Sequence, residues 1–318
     1  MNVAETLLAA GPGDAVPDML PSRDEPGRLR GWLDAVIPPL VIFVFLVILW
    51  YAFAAYFNYK TLSVESQDIN PAKWNHASLV ERIRQSLTMS QPELPTPVQA
   101  IGDFLDKLRQ PPNANGGLWV DLGWTGRVAV LGFLLGALIG VLLAVMFMSS
   151  RLLARSLLPY VVASQTIPIV ALVPAIVVSI GLGLRSEVLI SAYLAFYSIT
   201  ISTYKGLQSV QPLAFELMRS YAATPAQVFF KLRLPAALPY LFTGLKIGVA
   251  ASLVGAIIAE LPSGSPHGIG QSLVLASEYT DNVSLWSTML AASVLGLVLF
   301  GAVVLCERLI IRWRVEPE

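Results

Sequence analysis

Residues Gly126 to Met148 read GRVAVLGFLLGALIGVLLAVMFM, and this stretch decides the fold. After Arg127 it carries no charge, so no face of a helix built from it suits water. About 20 mostly apolar residues cross the hydrocarbon core of a bilayer as a helix. Only a helix lets such a stretch satisfy its backbone donors and acceptors from within itself. Gly132, Gly136 and Gly140 add small residues at four-residue spacing. Such a stripe lets a neighbouring helix come close where lipid supplies no hydrophobic drive for association. The stretch predicts a transmembrane helix packed inside a bundle.

The same length criterion predicts further spans near 36–57, 158–181, 187–204, 240–260 and 286–308, about six in all. Composition agrees, with 55% hydrophobic and 13% charged residues against about 25% charged in soluble domains. The fold class expected is therefore all-α, a polytopic membrane protein. Residues 1–30, rich in Gly, Pro, Asp and Glu, predict a disordered cytoplasmic tail. A first transmembrane helix follows over 31–58, then an external segment over 59–122, then a membrane core over 123–312. Ala52-Phe53-Ala54 has some look of a cleavage site. The first apolar run is nevertheless longer than the roughly 7–15 residues of a secretory h-region, which favours an uncleaved anchor.

Several classes of chemistry are disfavoured. A formal net charge of zero gives no basic field for nucleic acid. The single cysteine, Cys306, excludes an internal disulfide. Two histidines, His76 and His267, offer little for a metal or a catalytic base. Ser263-Gly264-Ser265-Pro266-His267 lacks the strand–turn–helix setting of a serine nucleophile and reads as a loop.

Orientation follows from Lys and Arg in the short loops. Arg23, Arg28 and Arg30 precede the first span, and Arg151 and Arg155 lie between the second and third. Lys205, Arg219, Lys231 and Arg233 lie between the fourth and fifth, and Arg308, Arg312 and Arg314 end the chain. The opposite loops hold Arg185 and, from Leu261 to Leu285, no basic residue. Both termini are expected in the cytoplasm. In the external segment, Pro97 to Leu108 predicts a short amphipathic helix with Val98, Ile101, Leu105 and Leu108 on one face.

Polar residues in the spans are candidates for a translocation pathway. Pro168 and Pro174 break the third span, and Ser164, Gln165 and Thr166 just before Pro168 either contact solute or bond the freed carbonyls. Glu260 closes the fifth span and either lines an outer mouth or sits solvated at the interface. Lys246 lies just inside that span, where its long stem reaches the interface. Gly244, Gly248 and Ser252 repeat the small-residue stripe, read first as helix packing, with Ser252 also placed on the pathway.

The most organised loop is Pro212 to Gly244, PLAFELMRSYAATPAQVFFKLRLPAALPYLFTG. Phe215 to Ala222 has helical composition. Thr224-Pro225-Ala226-Gln227 predicts a second helix start, with Thr224 as N-cap, Gln227 as its capping-box partner and Pro225 at the first helical position. Val228, Phe229, Leu232 and Leu234 give that helix an apolar side, and Pro235 and Pro239 mark the approach to the next span. Apolar side chains on such a loop need a partner. That partner is either a separate subunit or the ends of this chain's own helices.

The loop resembles the EAA loop of ABC importer permeases. Glu216 stands at the Glu position, Leu217 and Met218 where two alanines are usual, Ala222 in place of the customary glycine, and Ala223-Thr224 at the following pair. Leu234-Pro235 closes the pattern. Alanine resists the positive φ that glycine accepts, so the departure bears on the turn and not on the family. Leu118-Trp119, Arg127, Ile167-Pro168, Ala171-Leu172-Val173-Pro174, Gly181-Leu182-Gly183, and Val254 to Glu260 with Gly268-Ile269-Gly270 resemble the nitrate/sulfonate/taurine branch. The resemblance covers about 95–310 and implies a type I ABC importer permease architecture. It further implies a second permease subunit, most simply an identical copy, an extracytoplasmic binding protein, and cytoplasmic ABC ATPase subunits that bind the ATP and Mg. In that resemblance the loop over 206–239 meets the ATPase through Glu216, Arg219, Ser220, Ala222, Ala223, Thr224, Gln227, Phe229, Leu234 and Pro235. The chain has no GxxxxGK[ST] phosphate cradle and is expected not to be an enzyme or to hold a cofactor. The place implied is the bacterial inner membrane, and the solute a small, often anionic or heteroaromatic molecule. An ion-coupled secondary transporter is the alternative, and would show repeated halves with paired broken helices.

Overall fold

The structure is a computed structural model that describes residues 28–69, 78–111, 117–262 and 265–311. The expected tail ahead of residue 28, His76, Ser263, Gly264, Arg312 and Arg314 lie outside the described residues. The chain divides by contact into Met1–Ala52 and Phe53–Glu318. The first unit holds the start of helix α1, Arg28–Ile69, whose side chains from Leu40 to Leu46 are exposed and apolar, as a lipid-facing helix requires.

The second unit takes up α1 at Phe53 and continues through α2 (Leu79–Leu87) and α3 (Pro97–Arg109). Next come α4 (Leu118–Ser149), α5 (Arg151–Ser164), α6 (Ile169–Ile180) and α7 (Leu184–Gln208). The loop helices α8 (Pro212–Ser220) and α9 (Pro225–Val228) lead through a π turn, Phe229–Arg233, into α10 (Leu234–Glu260). The chain closes with α11 (Ile269–Glu278) and α12 (Asn282–Ile310). Among the described residues, five apolar runs are long enough to cross a membrane: Val36–Val64, Leu118–Ser149, Leu184–Gln208, Pro225–Glu260 and Asn282–Ile310.

The third expected span, 158–181, is broken at Pro168 as expected, and more sharply than a kinked helix would be. It is a pair of helices, α5 and α6, bent by 100° at the break, and it makes a sixth span only if the pair is taken together. The cause is Pro168, which cannot donate to the carbonyl four residues back, that of Ser164. Tyr193 on α7 donates its hydroxyl to that carbonyl at 2.5 Å, so the break is satisfied from the neighbouring helix.

Helix α7 lies at the centre because both small-residue stripes close on it. A Cβ at Gly136 of α4 would come 2.8 Å from the Ala192 carbonyl oxygen. One at Gly244 of α10 would come 2.8 Å from Ser202 Cβ, and one at Gly248 would meet Ile199. Ser191 of α7 donates to the Ser252 carbonyl at 2.8 Å. Beside it, Val128, Ala129, Leu253 and Ala256 join α4 to α10. The packing reading of the stripes holds, and Ser252 is fully buried within this contact, its hydroxyl bonded to the Val249 carbonyl at 2.9 Å.

Candidate functional site

The loop from Gln211 to Arg233 is built by two helix ends that fix each other's direction. Helix α8 stops at Ser220. The Ala223 N–H then reaches back to the Met218 carbonyl at 3.0 Å and the Ala222 N–H to the Arg219 carbonyl at 3.0 Å. This is the Schellman arrangement, which needs a left-handed residue in the position Ala222 occupies. Ala222 adopts φ +48°. The alanine therefore takes the conformation a glycine would take, and the turn keeps its geometry at a cost in strain.

Two residues on, the expected capping box is formed. Gln227 N–H donates to Thr224 Oγ1 at 3.3 Å, and Thr224 N–H donates to Gln227 Oε1 at 2.9 Å. The second loop helix is not separate from the span that follows, as the sequence suggested. It runs on through the π turn, where Leu234 N–H donates to the Phe229 carbonyl. Pro235 accounts for the widening, since its ring crowds the carbonyl four residues earlier and it has no N–H to give. The position of Glu216 in its helix decides what its charge can do. It lies in the second turn of α8, and the first turn carries no acidic residue, so its carboxylate does not offset the helix dipole, which acts within the first turn.

The loop's apolar side chains divide into two sets. Phe229 packs with Ala144, Leu207 and Ala237 against the ends of this chain's own helices. Leu213 and Leu217 on α8 and Tyr221 at its C-cap, at four-residue spacing, are exposed, Leu213 at 73% and Tyr221 at 77%. Phe230 is exposed as well. Arg233 is placed 4.9 Å over the Phe215 ring. A groove of about 600 Å³ opens between the end of α4 and the loop, lined by Val145, Met148, Ala223, Val228, Phe229 and Phe230 among others. Arg219, Ser220, Thr224 and Gln227 are exposed, whereas Ala223 and Pro235 are half-buried.

The pathway candidates do not come together. Ser164 and Thr166 bond carbonyls at the break, to Val161 at 2.8 Å and Ala163 at 2.7 Å. Gln165 beside them is exposed, and Pro168 opens α6. Glu260 is not solvated at an interface. It is fully buried, accepting from Thr125 Oγ1 at 3.0 Å and from Gly270 N–H at 2.7 Å. Around it, Asp121 accepts from Gly268 N–H at 2.9 Å and from Ser272 Oγ at 2.5 Å, and Ile269 N–H donates to Thr125 Oγ1 at 2.9 Å. Trp124 Nε1 donates to the buried Glu187 at 3.0 Å. These side chains hold the loop that leaves α10 onto the start of α4. Lys246 does more than reach the interface, forming an ion pair with Glu307 of α12.

Sequence reasoning missed Asp121, Thr125 and Glu187, whose joint role appears only when the loop folds back. The one available signal was Gly268-Ile269-Gly270. Gly268 holds φ +127°, and a Cβ there would come 2.6 Å from the Glu260 carboxyl carbon.

The family model "Binding-protein-dependent transport system inner membrane component" matches residues 136–312. The chain is 30% identical to the formylaminopyrimidine transport permease protein ThiX of Halalkalibacterium halodurans, over 70% of this chain and 86% of that one. It is 32% identical to the riboflavin transport system permease protein RibX of Chloroflexus aurantiacus, over 69% and 80%. The nitrate import permease protein NrtB of Synechocystis sp. is 30% identical over 69% and 80%. Among solved structures, an amino acid ABC transporter superposes with a TM-score of 0.53 at 20% identity, covering 65% of this chain and 98% of that chain. That likeness is one of fold.

Proposed function

This chain belongs to the binding-protein-dependent transport system inner-membrane components, and from that premise we infer how its parts divide the work of an ATP-driven importer. It is a membrane-spanning permease subunit, the non-catalytic part of such a transporter. The ion-coupled alternative has no support from the family. In our reading the termini face the cytoplasm, two copies of the chain pair to form the pathway, and an extracytoplasmic binding protein delivers the solute. The ATP and Mg are bound by a separate ATPase subunit. We place the solute in the class the relatives' names span, a small heteroaromatic or anionic molecule.

The loop over 206–239 is the element we assign to ATPase docking. One observation carries this assignment. The exposed ridge of Leu213, Leu217 and Tyr221 stands on a helix whose end is fixed by a Schellman turn and followed by a capping box. A ridge of that size has no cover among the described residues and, on our reading, is held rigidly enough to transmit a push. Losing an N-cap costs about 0.5–2 kcal/mol, enough to loosen the loop without unfolding the bundle. Thr224→Ala with Gln227→Ala should insert normally yet lower solute-stimulated ATP turnover and uptake together in the reconstituted complex. Glu216→Lys and Leu217→Asp should do so more severely, by reversing charge and by burying a carboxylate at the contact. Parental turnover and uptake in all three would remove the loop from the coupling path.

A further inference from the structure

Helix α3, outside the transmembrane set, carries an apolar arc that the described residues leave uncovered. Val98, Ile101 and Leu105 are exposed, Val98 at 67%. At about 100° per residue they fall within an arc of roughly 60°. The docked side lies opposite. Asp103 pairs with Lys107 at 2.8 Å, and Lys107 Nζ donates to Ser284 Oγ at 2.5 Å and Ser287 Oγ at 3.0 Å on α12. Ser287 Oγ in turn donates to Asp103 at 2.5 Å. Asp106, largely exposed, sits about 110° round from the arc. One side of α3 thus meets the bundle, the opposite side is apolar, and a flank between them is polar.

The depth of α3 is fixed by what it touches. Ser284 and Ser287 lie in the first two turns of the apolar helix α12, on either side of Trp286. At the other end of α3, Trp119 donates Nε1–H to the Leu108 carbonyl at 3.0 Å. Trp119 is itself the second residue of the apolar helix α4. Just ahead of α3, the fully buried Asn58 exchanges two hydrogen bonds with Leu94, at 2.9 and 3.0 Å. Asn58 lies inside the apolar run Val36–Val64. Tryptophans gather at membrane–water boundaries, where ring and N–H meet different surroundings. Two anchors of α3 therefore sit at the start of a membrane-spanning segment and the third in the last third of another, and its apolar arc points away from the bundle near that level.

We propose that α3 lies in the plane of the membrane boundary with Val98, Ile101 and Leu105 buried among lipid acyl chains, so that this segment grips the bilayer. Amphipathic helices with an apolar side of this kind insert about 5–10 Å into the headgroup–acyl boundary. The placement holds for whichever side of the membrane α1 ends on.

The test uses the full chain in its complex, with Cys306→Ala, and a nitroxide attached to Val98→Cys, Ile101→Cys, Leu105→Cys or Asp106→Cys. The complexes are reconstituted in vesicles of phosphatidylethanolamine and phosphatidylglycerol. Collisions with oxygen report acyl chains, and collisions with a water-soluble nickel chelate report solvent. Oxygen should dominate at the three apolar positions and nickel at position 106. Nickel access at 98, 101 and 105 would show the arc in water and overturn the proposal. Protection from both relaxants would overturn it in favour of a protein cover, a binding protein or a second copy. The labelled positions are exposed, so each variant is expected to assemble. Should one not, the other two decide.

Discussion

Ala222 sits at φ +48°, where an L-residue bearing a Cβ is strained and glycine is not. Ala222→Gly should therefore stabilise the α8 end by about 1 kcal/mol, read as slower amide exchange across residues 218–224 with transport retained. The opposite sign is expected at Gly268, at φ +127° with the Glu260 carboxylate behind it. Gly268→Ala should displace that carboxylate from Thr125 and Gly270 and lower the thermal stability of the purified complex, by more than about 1 kcal/mol. The two positions were unequally legible. The sequence flags Ala222 because a known pattern has glycine there, so the conflict is visible in one letter. It does not show that Glu260 is buried, because Thr125 lies 135 residues away and Gly270 reaches the carboxylate only once the loop between them folds back. The same holds for Lys246, whose partner Glu307 lies on another helix.

Helix α4 offers a contrast between glycines that share one element. Gly136 packs on backbone atoms of α7, whereas a Cβ at Gly123 meets nothing within 4 Å. Gly136→Ala should push α4 from α7 and reduce the folded yield in membranes. Gly123→Ala should be neutral or slightly stabilising, since alanine is the better helix former by about 1 kcal/mol. Equal yields from both would mean that the stripe does not set the helix spacing. Apolar runs and the small-residue stripes were readable because lipid imposes a length and a composition on each span. Which helix a stripe meets was not readable, since spacing names a face and not its neighbour. A readable signal also went unused. Thr96-Pro97-Val98-Gln99 has the same form as Thr224-Pro225-Ala226-Gln227, and both are capping boxes in the structure. The 100° bend between α5 and α6 was legible only as a proline-rich break. The hydroxyl that Tyr193 brings from α7 to the freed Ser164 carbonyl could not be read from spacing.

At the scale of the whole molecule, the proposed orientation separates two exposed tyrosines. In a Cys306→Ala background, Tyr279→Cys should react with an impermeant thiol reagent added to sealed cells, and Tyr221→Cys should react only after lysis. Labelling of position 221 in intact cells would reverse the orientation. Tyr221 belongs to the ridge beside α9, and α9 is continuous with α10. From Pro225 to Glu260 the backbone is one helical rod of 36 residues, about 54 Å long at 1.5 Å per residue. On the docking role proposed above, its π turn would act as a fulcrum near one end. A tilt of about 10° there would sweep the Glu260 end through roughly 7 Å, given the ~40 Å length of α10. Glu260 is tied to Thr125 and Gly270, so that end cannot swing by itself. On that proposal a push on the short arm would carry α4 and α11 with the long one, and the gearing between the two ends would be set by where the π turn falls.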